Sequence, residues 1–193
     1  SQLQQRCCYM RCPFRGNQEG GVRVSQNILV VYKKNFEDVH DEALDIVKNT
    51  LEDISEDLDI KVNYSAREKV SREDFIERDL VVVLGGDGTL TSIAHSVDEK
   101  TPVMGVNSHP REMDNDGSYG FYMGSDPINF GEDIRKALSN DAIVNILPRL
   151  QAEISTTSGN IIRSDPALND LLLANTHQYQ PSKYKLQRKE DTK

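Results

Sequence analysis

No stretch of this sequence stays apolar for the roughly 18 residues that a bilayer span requires, and no secretory apolar core is visible. A membrane-spanning helix and a signal peptide are therefore not expected. Basic residues are in the minority, 23 Lys and Arg against 31 Asp and Glu for a formal net charge of -8. That balance argues against nucleic acid or an anionic membrane surface as the main partner, because both select basic patches. Cysteine is scarce and badly placed for a metal. Cys7, Cys8 and Cys12 form an odd, crowded set with no histidine nearby, so a tetrahedral zinc site lacks its fourth ligand and no metal-ligating residue is assigned. Reduced thiols and a cytoplasmic address are the expectation. The GxGxxG and GxxxxGK[ST] glycine patterns are also missing, which removes the main support for a dehydrogenase or a P-loop enzyme. No Ser-His-Asp constellation and no internal repeat is evident.

What is present divides into three regions. Residues 1–26 carry all three cysteines and Arg6, Arg11, Arg15 and Arg23 against Glu19 alone, a local charge of +3 in an otherwise acidic chain. A basic, disordered tail is expected there. An Arg-rich, acid-poor leader also resembles a mitochondrial transit peptide, which keeps that compartment open beside the cytoplasm, and Ser1 in place of an initiator Met leaves the natural beginning open. Residues 27–140 alternate short β-rich runs with longer helical ones, the signature of an α/β fold with a parallel sheet covered by helices on both faces. "NILVVY", "DIKVNY", "LVVVL" and "TPVMGVN" read as its strands. Val39, Ala43, Ile46, Val47, Leu51 and Ile54 recur at helical spacing, as do Leu90, Ile93, Ala94 and Val97, while "SREDFIER" and "INFGEDIRKAL" read as further helices. Residues 141–193 turn to strand-like runs, "RLQAEIST", "NIIRS", "ALNDLLLAN" and "YKLQRK", with Gly159 and Asn160 placed for a hairpin. They read as the truncated start of an all-β domain, because too few strands precede Lys193 to close one.

The stretch "DLVVVLGGDGTLTSIAHSV", residues 79–97, joins a strand of buried character to a helix through Gly85, Gly86, Asp87 and Gly88. A turn at the carboxyl end of a parallel strand lies where open α/β sheets bind ligands. Glycines let a ligand reach the backbone, and the helix behind them directs free N–H groups and its positive dipole end at the same point. Such a turn suits phosphate. Asp87 is then the anomaly, since a carboxylate beside a phosphate is unfavourable unless it pairs with Mg²⁺, a basic side chain or a proton it is about to accept. General-base work on a hydroxyl that attacks phosphorus fits these demands. The alternative is that Asp87 merely caps the helix, where Asp is a preferred residue.

"GGDGT" resembles the signature of the superfamily that joins NAD kinases, diacylglycerol and sphingosine kinases and phosphofructokinases. "PVMGVN", "GSYGFY" at 117–122 and "ALND" at 167–170, in that order, narrow the resemblance to NAD kinases and to the N-terminal half of that family. It implies phosphoryl transfer from ATP, with Mg²⁺, to the 2′-hydroxyl of the adenosine ribose of NAD or NADH, and a homo-oligomer for the whole protein. It also implies that Asp87 accepts the hydroxyl proton, that Gly86 and Gly88 let the backbone approach the dinucleotide, and that Asn169 and Asp170 bind its nucleoside. Asn169 and Asp170 sit within an apolar run read as a strand, where unsatisfied polar groups cost on the order of 1–3 kcal/mol each, so they need partners; an ordinary turn pair is the other reading. Phe121 and Tyr122 follow the glycines and would form a flat wall for a nicotinamide or adenine ring, or simply pack in the core.

The departure from many bacterial relatives is "SHPREMDND" after "GVN", an insertion similar to that of the NADH-preferring mitochondrial and plant branch. It reads as a solvated loop, with Glu112, Asp114 and Asp116 as candidate Mg²⁺ ligands or simply water-facing charges. His95 reads as a surface or packing residue. A lipid kinase sharing the glycine turn is the nearest rival, and a nucleotide-binding module without turnover is the third reading. The resemblance places part of the site in a later β domain, so residues 1–193 alone are not expected to phosphorylate NAD.

Overall fold

In a computed structural model of the chain, the described residues are 2–9, 25–34, 38–111, 115–177, 179–181, 183 and 185. Cys12, Glu112, Asp114 and most of the "YKLQRK" run lie outside them, as do the side chains of Cys7, Cys8 and Val39. The elements in chain order are β1 (Gln2–Tyr9), β2 (Gln26–Tyr32), α1 (Asp38–Asp57), β3 (Ile60–Ala66), a 3-10 turn (Arg72–Phe75), β4 (Leu80–Gly85), α2 (Asp87–Ile93), β5 (Val103–Asn107), α3 (Phe130–Ser139), β6 (Pro148–Ser155) and β7 (Ile161–Arg163).

The four strands read from the pattern pair in parallel in the order β3-β2-β4-β5. Consecutive residues of β2 and β4 point to opposite faces, and both faces are apolar. Ile28, Val30, Val82 and Leu84 meet α1 and α3, while Leu29, Val31, Val81 and Val83 meet α2 and Phe75 of the 3-10 turn. The stripe Leu90, Ile93, Ala94 and Val97 is buried throughout. On α1 the stripe is Ala43, Leu44, Val47, Leu51 and Ile54, with Ile46 44% exposed. Ile46 lies about 100° around the helix from the centre of that stripe, so Leu44 takes the place the spacing gave it. α3 ends at Asn140, whose φ of 65° is the left-handed conformation that Asn tolerates at a helix end.

β6 forms a second, antiparallel sheet in the order β1-β6-β7. Residues 2–9 are therefore not part of a disordered tail. β1 pairs with β6 from Gln2↔Ser155 to Tyr9↔Pro148, covering an edge of β6 whose N–H and C=O groups would otherwise lack backbone partners. The hairpin turn falls as expected, with Gly159 at a φ of 87° and its N–H donating to the Thr156 carbonyl at 3.0 Å. Among the described residues no helix is long and apolar enough to cross a membrane.

Arg149 ties the second sheet to the end of α2. It is 2% exposed, and its Nη1 donates to the carbonyls of Ala94 and Val97, each at 2.7 Å, just beyond α2. These carbonyls have lost their helical partners, and a guanidinium there also complements the negative end of the helix. Arg149→Ala is expected to lower stability by about 2–3 kcal/mol, the loss of charge-assisted bonds to buried acceptors. Urea unfolding reads this directly; an unchanged midpoint would mean that α2 and the second sheet are held by other contacts.

Candidate functional site

Strand order reverses between β2 and β4, so the crevice at their carboxyl ends is the switch point where such sheets bind ligands. The Lys33 N–H donates to the Leu84 carbonyl at 3.0 Å, which brings Lys33 and Lys34 beside the glycine turn. All of β4 is buried, and the chain leaves it through glycines that are needed for different reasons. A Cβ on Gly85 would strike the side chain of Thr89, and one on Gly86 would lie 2.8 Å from Ser118 Oγ and 2.9 Å from its Cβ. Gly88 is exposed, and a Cβ there would meet nothing within 4 Å. The fold itself gives no reason for glycine at position 88, and glycine in a helix is worse than alanine by roughly 0.5–1 kcal/mol.

Asp87 opens α2, yet Gly86 is the N-cap and no side chain caps this helix. The carboxylate instead accepts the Phe121 N–H on Oδ2 at 3.0 Å and the Tyr122 N–H on Oδ1 at 2.8 Å. The capping alternative is thereby replaced by another structural role, a bridge from the glycine turn to the turn at residues 120–123. That second turn is held from below. Gly120 has a φ of 68°, and a Cβ on it would lie 2.7 Å from Asn107 Nδ2. A Cβ on Gly105 would lie 2.6 Å from the Tyr122 carbonyl oxygen. Asn107, 7% exposed at the end of β5, donates from Nδ2 to the Ser118 carbonyl at 3.1 Å and accepts the His109 N–H on Oδ1 at 3.3 Å. Its neighbour Ser108 donates its N–H to the Gly85 carbonyl at 3.0 Å, and Ser108 Oγ lies 2.7 Å from Nδ1 of the buried His40 on α1.

The aromatic pair divides. Phe121 is 84% exposed, whereas Tyr122 is half-buried against the apolar cluster beneath α2, so Phe121 alone of the two offers a free ring face. Its ring stacks on Tyr119 at 5.7 Å between centroids and 27° between planes, and the Arg111 guanidinium lies 4.3 Å from the Tyr119 centroid. Tyr119, Arg111 and Asn107 had no role assigned from the sequence; the polar end of "PVMGVN" was the available signal for Asn107.

The strand expected across "ALNDLLLAN" does not form. Ala167 exchanges backbone hydrogen bonds with Leu150 at 2.7 and 2.8 Å, and regular pairing then stops. In that register the residue facing Asn169 is Pro148, which has no N–H to donate. Asn169 turns to a φ of 92°, and both it and Asp170 are exposed, with Asn169 Nδ2 donating to Asp170 Oδ2 at 3.3 Å. Leu168, directly before them, is buried in the same apolar cluster as Leu90 of α2 and Tyr122, which puts the pair on the α2 side of the sheet. His95 is exposed.

Beside these turns an open cleft of about 640 Å³ runs from the insertion to α3. Its acids are engaged. Asp126 accepts the N–H groups of Ile128 and Asn129, Asp133 accepts from Ser125 Oγ at 2.7 Å, and Glu132 pairs with Lys136 at 2.6 Å. The hydrogen bond from Lys136 holds the Glu132 carboxyl below its ordinary pKa, and the same contact raises that of Lys136. Among the described residues no group of three His, Cys, Asp or Glu is placed to hold a metal.

Comparison with known proteins gives a consistent answer. The model of the ATP-NAD kinase N-terminal domain matches residues 24–142. The NAD kinase of Syntrophobacter fumaroxidans is 32% identical over 155 residues, 77% of this chain and 50% of that protein. The NAD kinase of Halorhodospira halophila is 33% identical over 110 residues, 55% of this chain and 33% of the relative. A probable NADH kinase of Oryza sativa subsp. japonica is 25% identical over 181 residues, 89% of this chain and 53% of the relative. The chain thus spans between a third and about half of the length of these curated relatives. With the glycine turn, the parallel sheet and these matches together, the chain belongs to the NAD kinase family and carries its N-terminal α/β domain.

Proposed function

We propose that the protein transfers a phosphoryl group from ATP to the 2′-hydroxyl of the adenosine ribose of NAD or NADH. The observation that carries this reading is Asp87, held by two backbone N–H groups at the carboxyl end of a central strand in a chain of this family. Each carboxylate oxygen keeps a further lone-pair direction after accepting its N–H. As the ribose oxygen forms its bond to the γ-phosphorus, the bond from phosphorus to the ADP oxygen breaks and the hydroxyl proton passes to Asp87. Gly88 leaves room for the dinucleotide, Phe121 offers a ring face to a base, and Asn169 and Asp170 bind the nucleoside. Mg²⁺ would enter with the donor's phosphates, in the way this ion commonly uses one or two carboxylates and substrate oxygens instead of a protein cage. The α/β unit over residues 27–140 and the start of a β-rich domain over 141–193 share the site, in a protein that assembles as a homo-oligomer in the cytoplasm or mitochondrion.

Supplying the whole protein with ATP, Mg²⁺ and NAD, and reading NADP with a strictly NADP-dependent dehydrogenase, tests the reading. NADP formation is expected. No NADP, with phosphate appearing instead on diacylglycerol vesicles, would favour the lipid kinase. Gly88→Ala separates fold from ligand: stability should rise by roughly 0.5–1 kcal/mol, while kcat/KM for NAD falls at least about tenfold, or 1.4 kcal/mol of transition-state stabilisation. Unchanged kinetics in this variant would mean that no substrate approaches Gly88.

A further inference from the structure

The insertion after β5 is fixed at its base. The Arg111 N–H donates to the Ser118 carbonyl at 3.0 Å, and the Ser118 N–H donates to the His109 carbonyl at 2.8 Å. Gly117 closes the loop so tightly that a Cβ on it would lie 2.6 Å from the His109 oxygen and 2.7 Å from the Arg111 nitrogen. Ser118 in turn rests against Gly86 of the glycine turn. Arg111 is thus carried on a rigid mount, and its guanidinium covers Tyr119, which stacks on Phe121, whose N–H holds Asp87.

Charge distinguishes Arg111 from its surroundings. Among the described residues the cleft is lined by two cations, Arg111 and Lys136, and Lys136 is committed to Glu132 at 2.6 Å. The carboxylates of Asp126 and Asp133 are likewise engaged by hydrogen bonds from their own segment. Among the described residues no carboxylate forms an ion pair with Arg111, which is exposed at the cleft. A rigidly mounted guanidinium to which no described side chain is hydrogen-bonded is suited to bidentate recognition of a phosphate group.

We propose that Arg111, at the base of the insertion after β5, binds a phosphate group of the substrate pair. The proposal rests on the NAD kinase reading above. The phosphate belongs either to the diphosphate of the dinucleotide or to the triphosphate of the donor, and both present the same chemistry to the guanidinium. Arg111→Ala and Arg111→Lys in the whole protein separate these sources when NAD, ATP with Mg²⁺, and adenosine are each titrated by calorimetry. Arg111→Ala is expected to weaken either NAD or ATP by about tenfold or more, as for a lost hydrogen bond to a charged group. The nucleotide affected identifies the phosphate. Arg111→Lys, which keeps the charge but loses the planar fork, should recover only part of that loss, and adenosine, which has no phosphate, should bind all three proteins alike. Unaltered affinity for both nucleotides overturns the proposal, as does an equal loss for adenosine. So does a lysine variant as weak as the alanine one, since stacking on Tyr119 would then be the whole role of Arg111. An unmutated protein that binds neither NAD nor ATP fails the functional reading itself, and the proposal with it.

Discussion

Asp87→Asn is expected to lower kcat for NADP formation by roughly 10²-fold or more, the contribution typical of a positioned general base. The substitution is not structurally silent. An asparagine has one acceptor oxygen and one NH₂, so of the two N–H groups now held by the carboxylate, those of Phe121 and Tyr122, one would face a donor. That mismatch costs about 1–3 kcal/mol, and a lower unfolding midpoint should accompany the kinetic loss. NAD affinity should fall by less than about tenfold, because the nucleoside contacts proposed for Asn169 and Asp170 are untouched. A variant whose midpoint drops while kcat stays near normal would leave Asp87 with the bridging role alone.

Gly105→Ala is the second large effect, and it acts at a distance from any reacting atom. A methyl group on Gly105 would lie 2.6 Å from both the Tyr122 carbonyl oxygen and Met123 Sδ, and 3.0 Å from Met123 Cα. The thioether can swing aside, but the two backbone atoms cannot yield without moving the turn at 120–123. Overpacking of this kind costs about 1–3 kcal/mol. The same movement withdraws the N–H groups from Asp87, and a misplacement of roughly 1 Å at a catalytic group can lower turnover by about 10²-fold. Parallel losses of midpoint and kcat are expected, with Gly88→Ala as the contrasting case in which only kinetics suffer. Wild-type kinetics in Gly105→Ala would show that the turn adjusts without disturbing Asp87.

Periodicity made the sheet and its helices readable, because each residue's face follows from its position along the strand or helix. "LVVVL" is buried on both faces, and Leu90, Ile93, Ala94 and Val97 share one, as spacing alone requires. What periodicity did not reach depended on partners distant in sequence. The run after Ala167 has strand composition, but its pairing register reaches Pro148, and a missing N–H on the neighbouring β6 leaves no mark on "ALND" itself. Residues 2–9 have tail-like charge, and their pairing depends on an edge of β6 about 150 residues later, a separation visible only in the register Gln2↔Ser155. Phe121 and Tyr122 are adjacent aromatics that local sequence treats alike, yet the turn sends one ring to solvent and the other toward the core. The glycines of the turn were legible as a turn between a buried strand and a helix. Which of them serves packing and which leaves open space depended on Thr89 and Ser118, one a turn further along the helix and the other across the site.

The central claim is that Asp87 takes the proton while phosphorus is attacked, beyond bridging two turns. A single-turnover, rapid-quench measurement tests it most directly, with the whole protein saturated with NAD before ATP and Mg²⁺ are added, so that binding drops out of the comparison. The chemical step of Asp87→Asn is predicted to be slower than that of the unmutated protein by roughly 10²-fold or more at equal NAD occupancy. A variant that forms NADP at the unmutated single-turnover rate would contradict the claim and leave Asp87 a purely structural bridge between the glycine turn and the turn at 120–123.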